Sequence, residues 1–179
     1  MAAAAEGKDS PFELELIGPS MDEFMMRKQA AYVNKLKQQG EAESAAHFAK
    51  LKENKNVVET ASGLRYEIQN AGTGPKPTPS DTVRVHYTGK LINGTVFDSS
   101  VERGEPVEFK LDEVIPGWTE GLQHLAKGGK MTLHIPSSLA YGEDGRPGIP
   151  PASTLIFDVE LLEINPESAP DAPETPDAE

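Results

Sequence analysis

Hydrophobic and polar positions alternate along much of the chain between residues 57 and 165. At residues 83–88 two valines and a tyrosine fall on one face of an extended segment, and arginine, histidine and threonine fall on the other. The same alternation recurs at residues 64–68, 131–135 and 155–161. Glycine, proline, asparagine and aspartate separate these short runs, which is typical of a mostly antiparallel sheet. Asn93–Gly94, between two apolar runs, predicts a tight hairpin.

Other segments have helical spacing instead. Ser20 and Glu23 form a capping-box pattern, which predicts that a helix begins there and carries an apolar stripe as far as Leu36. Gly40 is expected to interrupt this helix, and a second helical run reaches about residue 54. Within the sheet region, residues 117–125 place Trp118 and two leucines on one side. That spacing predicts a short helix lying across the sheet.

The pattern divides the 179-residue chain into four parts. We predict a flexible N-terminal arm at residues 1–19, a helical arm at 20–56 and a sheet domain at 57–165. The tail at 166–179 contains five acidic residues, four prolines and no basic residue. It cannot bury apolar surface, and we therefore expect it to be disordered.

Composition narrows the classes of function. The formal charge of −12 and a pI near 4.8 leave no basic stripe to neutralise phosphates, so we expect no nucleic-acid binding. No run approaches the roughly 18 apolar residues of a membrane span, and the first residues lack the basic-then-apolar pattern of a secretory signal. The expectation is a soluble, cytoplasmic protein that does not bind membranes.

The residues that commonly bind metals give no signal either. Zero cysteines exclude disulfides, thiolate nucleophiles and cysteine-based zinc sites. The four histidines have no clustered spacing, and we expect His86 and His134 on the solvent side of their strands. The sequence therefore predicts neither a metal nor a cofactor.

A loop rich in glycine and proline, AYGEDGRPGIPP at residues 140–151, precedes the last apolar strand. Its three glycines and three prolines cannot belong to a helix or to a central strand. We interpret this loop as a flap over a pocket. With VHYTG at residues 85–89 and FDSS at 97–100, it indicates an apolar pocket with few polar groups, which suits prolyl peptide bonds.

Five motifs in one order resemble the FKBP-type peptidyl-prolyl cis–trans isomerases: VHYTG, FDSS, VIPGW at residues 114–118, the flap, and TLIFDVELL at 154–162. The phrases SGLRY at 62–66 and IPGWTE at 115–120, with the helical arm, resemble the bacterial macrophage-infectivity-potentiator-like branch. The resemblance implies an α+β fold. A twisted antiparallel β-sheet would wrap around a short α-helix, forming the isomerase domain at 57–165, preceded by the helical arm.

The chemistry of prolyl isomerisation fits such a pocket. Amide resonance sets a barrier of ~18–20 kcal/mol, so an X–Pro bond rotates over tens to hundreds of seconds without a catalyst. Rotation about the C–N bond needs no nucleophile, metal or strong base. A site accelerates it by binding the twisted amide better than either planar form. An apolar pocket helps because the planar amide is the more dipolar species.

The resemblance also implies roles for individual residues. Trp118 would form the floor beneath the proline ring, and Ile149 would close the pocket from the flap. The Ile115 N–H and the Tyr141 hydroxyl would donate to substrate carbonyls. Asp98 would be an electrostatic partner, not a base, at the pocket edge. We assign catalysis to Tyr87, Asp98, Trp118, Tyr141 and Phe157. We assign substrate binding to Phe97, Arg103, Val107, Val114, Ile115, Arg146 and Ile149.

Two positions depart from the family's usual pattern. Val107 stands at a wall position that is often Phe in eukaryotic members, which would leave that rim shallower. Arg146 stands where the flap often carries His, and its charge would favour acidic or carbonyl-rich residues around the proline. The partners implied are unfolded or folding polypeptides that contain proline, together with the macrolide inhibitors of the family.

An alternative function stays open at this point: a holdase chaperone or binding module that uses the helical arm, with isomerase activity secondary. Only thirteen positions separate Tyr141 from Thr154, so the flap has no room for an inserted chaperone domain. Chaperone action would have to come from the arm. A homodimer formed through the same arm also stays open as an alternative.

Overall fold

The computed structural model of the protein describes residues 14–166. Most of the predicted N-terminal arm and all but the first residue of the predicted acidic tail lie outside this range. The helices are α1 Leu14–Leu51, α2 Ser100–Arg103 and α3 Pro116–Leu122. The strands are β1 Val57–Glu59, β2 Arg65–Asn70, β3 Thr82–Leu91, β4 Val96–Ser99, β5 Val107–Lys110, β6 Lys130–Ile135 and β7 Leu155–Ile164.

All seven strands join one antiparallel sheet in the order β1-β2-β6-β7-β3-β4, and β5 also pairs with β3. The central strands β3 and β7 pair from Val83 opposite Ile164 to Leu91 opposite Leu155, with one shift of register between Arg84 and Val85. On its other edge β3 pairs with β5 and then with β4, and α2 lies between these two strands in sequence. The predicted hairpin is confirmed: Gly94 has a φ of +87° and its N–H donates to the Leu91 carbonyl at 2.9 Å.

The alternation predicted for β3 and β7 is confirmed, whereas in β2 Arg65 is buried and Ile68 is exposed. The helix α3 lies across the buried face. Val83 and Val85 are fully buried, and so are the inward-facing residues of β6. The inward-facing residues of β7 are fully buried too, except Phe157, which is 4% exposed. Two glycines let α3 approach closely: a Cβ on Gly117 would lie 2.4 Å from Ile135 Cγ2, and one on Gly121 would lie 2.5 Å from Leu133 Cδ2. The predicted short helix is therefore present, although it ends at Leu122.

The helical arm differs from the prediction. Instead of two helices separated at Gly40, α1 is continuous over 38 residues and begins six residues before Ser20. The predicted interruption is wrong, because Gly40 lies inside the helix and permits a close backbone contact there. A Cβ at Gly40 would lie 2.8 Å from the Pro151 carbonyl oxygen and 2.9 Å from that of Ala152. The absence of a side chain lets α1 lie directly against the end of the flap.

The C-terminal part of α1 covers the outer face of the sheet. Ser44 Oγ and Thr154 Oγ1 are 2.7 Å apart, and His47 Nε2 lies 3.1 Å from His134 Nδ1. His134 is consequently only 7% exposed. The expectation that His134 faces solvent is wrong, since strand alternation alone does not reveal that a helix covers the second face.

The N-terminal part of α1 has a different surface. Five large apolar side chains there are between 51% and 71% exposed: Met21, Phe24, Met25, Met26 and Tyr32. The contacts of α1 with the sheet domain include the Lys37–Glu143 ion pair, at 3.1 Å. One helix therefore joins a docked segment to a segment whose apolar side chains are uncovered.

Candidate active site

A cavity of about 490 Å³ lies between α3, the sheet and the flap. Its lining comes from β3, β4, β5, β7, the residues around α3, and the flap, so distant parts of the sequence meet here. The lining residues are Tyr87, Phe97, Asp98, Phe109, Glu113, Val114, Ile115, Trp118, Tyr141, Arg146, Pro147, Ile149 and Phe157.

Trp118 lies at the centre of a group of aromatic rings. Its ring makes edge-to-face contacts with Tyr87, Phe109 and Phe157, at centroid distances of 5.2, 5.3 and 5.2 Å. Phe97 meets Phe157 in the same geometry at 5.5 Å. Edge-to-face pairs fix ring orientation as well as burying area, so this wall of the cavity is rigid and apolar.

Asp98 is the carboxylate at the edge of this aromatic group, and two donors hold it. The Tyr87 hydroxyl donates to one oxygen, and the Arg103 guanidinium bonds the other. Arg103 also donates to the Tyr87 hydroxyl oxygen at 3.2 Å. Ser99 caps α2 by accepting from the Glu102 N–H, and this short helix carries Arg103 back towards Asp98.

The electrostatics of this triad favour a fixed charge. Partial burial opposes ionisation of Asp98, but the hydrogen bonds from Tyr87 and Arg103 outweigh it and keep the pKa of Asp98 below its usual value. Burial, reinforced by the hydrogen bond to Asp98, raises the pKa of Tyr87. At neutral pH Tyr87 therefore stays a donor and Asp98 stays an anion of low basicity.

The flap places its side chains over the other side of the cavity. Ile149 is 5% exposed and packs against the core, as the flap prediction requires. The Arg146 guanidinium donates to the Tyr141 hydroxyl oxygen at 3.0 Å and lies 4.8 Å from the centre of that ring. Within residues 14–166, the Ile115 N–H, just before α3, donates to no group of the chain and is free to meet a ligand.

The structure brings ten of the twelve predicted site residues to the cavity; Arg103 and Val107 are the exceptions. Arg103 lies behind Asp98, as described above. Val107 is half-buried against the core and does not reach the cavity, so its expected place in the wall is wrong. Phe109, two residues later on the same face of β5, lines the wall instead.

Sequence reasoning missed three lining residues: Phe109, Glu113 and Pro147. The signal for Phe109 was available, because strand alternation places it on the inward face with Val107. Glu113 and Pro147 lie in irregular segments, where no periodicity indicates direction. Among residues 14–166, no group of three or more His, Asp or Glu residues could hold a metal ion. No helix in that range is long and apolar enough to cross a membrane.

Comparison with known proteins assigns both parts of the chain. The family described as FKBP-type peptidyl-prolyl cis-trans isomerase matches residues 74–162. The domain found amino-terminal to such isomerases matches residues 1–68. The second match includes β1 and β2, which nevertheless belong to the same sheet as the other strands. The structural unit thus extends across the border between the two matches.

Similar proteins are found in several bacteria. A probable FKBP-type peptidyl-prolyl cis-trans isomerase of Haemophilus influenzae is 50% identical over 92% of this chain and 70% of its own length. FkpA of Escherichia coli K12, an FKBP-type peptidyl-prolyl cis-trans isomerase, is 46% identical over 99% of this chain and 65% of its own length. The chain thus spans about two thirds of the length of these relatives.

Solved structures agree with this assignment. The crystal structure of FkpA from Escherichia coli superimposes with a TM-score of 0.84 at 46% identity, covering 90% of this chain and 76% of that one. A peptidyl-prolyl cis-trans isomerase of Pseudomonas syringae gives a TM-score of 0.64 at 36% identity, covering 74% of this chain and 95% of that one. On fold, motifs and relatives together, the chain belongs to the FKBP-type peptidyl-prolyl cis–trans isomerases.

Proposed function

We propose that this chain catalyses cis–trans rotation of X–Pro bonds in folding or unfolded polypeptides, and does so without covalent chemistry. The observation that carries the proposal is the combination of an apolar aromatic wall around Trp118 with a carboxylate at its edge, Asp98, whose lone pairs are held by hydrogen bonds. A proline ring fits against the aromatic wall. The fixed polar groups surround the position of the adjoining amide.

The energy required is within reach of such a site. A rate gain of about five decades corresponds to ~7 kcal/mol of preferential stabilisation of the twisted amide. Transfer out of water costs the planar amide more free energy than the twisted amide, because the planar amide is the more dipolar species. One or two hydrogen bonds that strengthen during rotation, from the Ile115 N–H and the Tyr141 hydroxyl, would supply a further share.

The state of Asp98 argues against a proton-transfer mechanism. A general base works best when its pKa lies near the operating pH, whereas the pKa of Asp98 is lowered by its two donors. Its role in the proposal is electrostatic: a fixed negative charge near the carbonyl carbon of the twisted amide. Activity should therefore vary little between pH 6 and pH 8.

A protease-coupled assay on a proline-containing peptide tests the proposal directly. We expect acceleration by the wild type, and a loss of at least tenfold in kcat/KM for Asp98→Ala, because the Tyr87 and Arg103 donors lose their common partner. Glu105→Gln is the matched control, since Glu105 is an exposed carboxylate outside the cavity. A wild type that gives no acceleration would end the proposal.

The same cavity is proposed to bind the macrolide inhibitors of the family. Trp118 is the only tryptophan of the chain, so its fluorescence reports on the cavity floor alone. Titration with a macrolide should change this fluorescence saturably and inhibit isomerisation at the same concentration. Fluorescence that stays unchanged at inhibitor concentrations far above micromolar would contradict the binding proposal.

We also propose that the exposed apolar side chains of α1 form a homodimer contact. The support is the exposure of five large side chains on one stretch of helix, together with its distance along the chain from the docked segment. Phe24→Glu with Met25→Glu should then convert a dimer to a monomer in sedimentation, with peptide activity unchanged. A wild type that sediments as a monomer at high concentration would exclude the dimer.

A further inference from the structure

The flap ends in a tight turn that fixes the backbone of Arg146. The Ile149 N–H donates to the Arg146 carbonyl at 2.8 Å, and the Arg146 N–H donates to the Ile149 carbonyl at 3.0 Å. Between them Pro147 and Gly148, which has a φ of +85°, occupy the positions that a type II turn requires. Gly145 precedes the turn with a φ of +68°, and a Cβ there would lie 2.3 Å from the Ile149 carbonyl oxygen. The turn therefore fixes the backbone position from which the Arg146 side chain extends.

The side chain of Arg146 is directed onto Tyr141. Its Nη1 lies 3.0 Å from the Tyr141 hydroxyl oxygen, and its Cζ lies 4.8 Å from the ring centroid. A guanidinium can only donate, so the tyrosine oxygen is the acceptor in this pair. The hydroxyl hydrogen must then point away from Arg146. Across residues 14–166 this hydroxyl donates to no other side chain or backbone group, which leaves its hydrogen for a ligand.

We propose that Arg146 is a positioning residue of this site, acting on the substrate through Tyr141. This inference rests on the proposed isomerase function. The guanidinium fixes the orientation of the phenol and, by donating to its oxygen, polarises the O–H bond. A polarised donor makes a stronger hydrogen bond to the substrate carbonyl. The arginine thus strengthens the contact without touching the peptide.

A direct role of Arg146 would be different. The cation could attract an acidic residue beside the proline, as its charge alone suggests. Two observations favour the indirect role. The hydrogen bond and the stacking over the ring hold the guanidinium against Tyr141. In addition, the cavity lining already includes the acids Asp98 and Glu113, whose charges oppose the approach of an acidic peptide.

A double-mutant cycle separates the two roles. The variants are Arg146→Gln, Tyr141→Phe and the double variant, each assayed for kcat/KM on a neutral proline peptide. We expect Arg146→Gln to lower kcat/KM ~3- to 10-fold, the range of one ordinary hydrogen bond, because the arginine acts on the substrate only through the Tyr141 hydroxyl. In the Tyr141→Phe background the same change should have no effect, because the hydroxyl it acts on is absent. Arg146→Lys should restore part of the loss.

Two controls make the result decisive. Lys76→Gln removes an exposed positive charge outside the cavity and should leave kcat/KM unchanged. The cycle is repeated on a peptide with glutamate beside the proline, at low and high salt. Equal losses from Arg146→Gln with and without the Tyr141 hydroxyl, or a loss confined to the acidic peptide at low salt, would overturn the positioning role. An inactive wild type would instead refute the proposed function itself.

Discussion

The histidine pair between α1 and the sheet makes the stability of the protein sensitive to mild acid. Burial and, to a smaller extent, the nearby His47 lower the pKa of His134 from 6.5 to about 4, although Asp158 opposes the change. Burial, with Lys50 and Arg65 nearby, lowers the pKa of His47 as well. The remaining cations that face His134 are Lys90 and Arg65. The folded protein therefore holds both rings neutral.

The sign and the magnitude follow from proton linkage. Between pH 6.5 and pH 4 the unfolded chain binds a proton at His134 that the folded chain does not, so the free energy of unfolding falls as the pH falls. This contribution is fully present above pH 6.5 and is lost through that window. Between pH 7.5 and pH 5.0 the loss from His134 amounts to about 2 kcal/mol, and to about 3 kcal/mol once the pH is below 4.

Urea unfolding at several pH values measures this effect. Wild type should lose about 2 kcal/mol more than His134→Gln between pH 7.5 and pH 5.0, because glutamine does not titrate. The series stops at pH 5.0, since the carboxylates Asp98 and Asp158, whose pKa values are lowered, titrate mainly below it. His86→Gln is the matched control, because the His86 ring pairs with Ser100, at 3.1 Å, and not with a residue of α1. Equal pH dependence of wild type and His134→Gln would refute the reasoning.

Three further changes have defined outcomes. Gly40→Ala should destabilise the protein by about 1–3 kcal/mol in urea unfolding, because the new Cβ would meet the carbonyl oxygens of Pro151 and Ala152. This loss is expected although alanine favours an isolated helix by ~1 kcal/mol over glycine. A gain in stability would contradict the docked helix. Gly89→Ala should lower kcat/KM at least tenfold, since its Cβ would lie 2.6 Å from the Phe97 ring and 2.7 Å from that of Phe157; unchanged kinetics would show that the rings yield freely. Phe157→Ala should cost about 3–5 kcal/mol of stability and most of the activity, which unfolding and the peptide assay measure on one sample.

The sheet domain could be predicted from the sequence because its evidence is local. Alternation along β3 indicates which face Val83 and Val85 occupy, and Asn93–Gly94 identifies a hairpin from two residues. The site residues followed from motifs whose order and spacing resemble a known family. A motif residue that also belongs to a regular element, as Trp118 belongs to α3, lies in the structure where the sequence predicts it.

The errors share a physical origin, which is contact between parts of the chain that are distant in sequence. Gly40 suggests a helix break when only its own propensity is considered, yet its lack of a side chain serves the contact with residues 151 and 152. Strand alternation predicts that His134 faces solvent, but in the structure α1 covers it. Val107 packs against the core, and Phe109, two residues later on the same face of β5, lines the wall.

The flap connects β6 to β7, two strands that lie side by side in the middle of the sheet. Both have paired neighbours on each edge, and α3 and α1 pack on opposite faces of this region. Their amides should be among the last to exchange with deuterated solvent, whereas the flap amides that lack backbone partners should exchange early. Early exchange in the flap together with late exchange in β6 and β7 would show that the cover of the cavity moves while the aromatic wall beneath it keeps its shape.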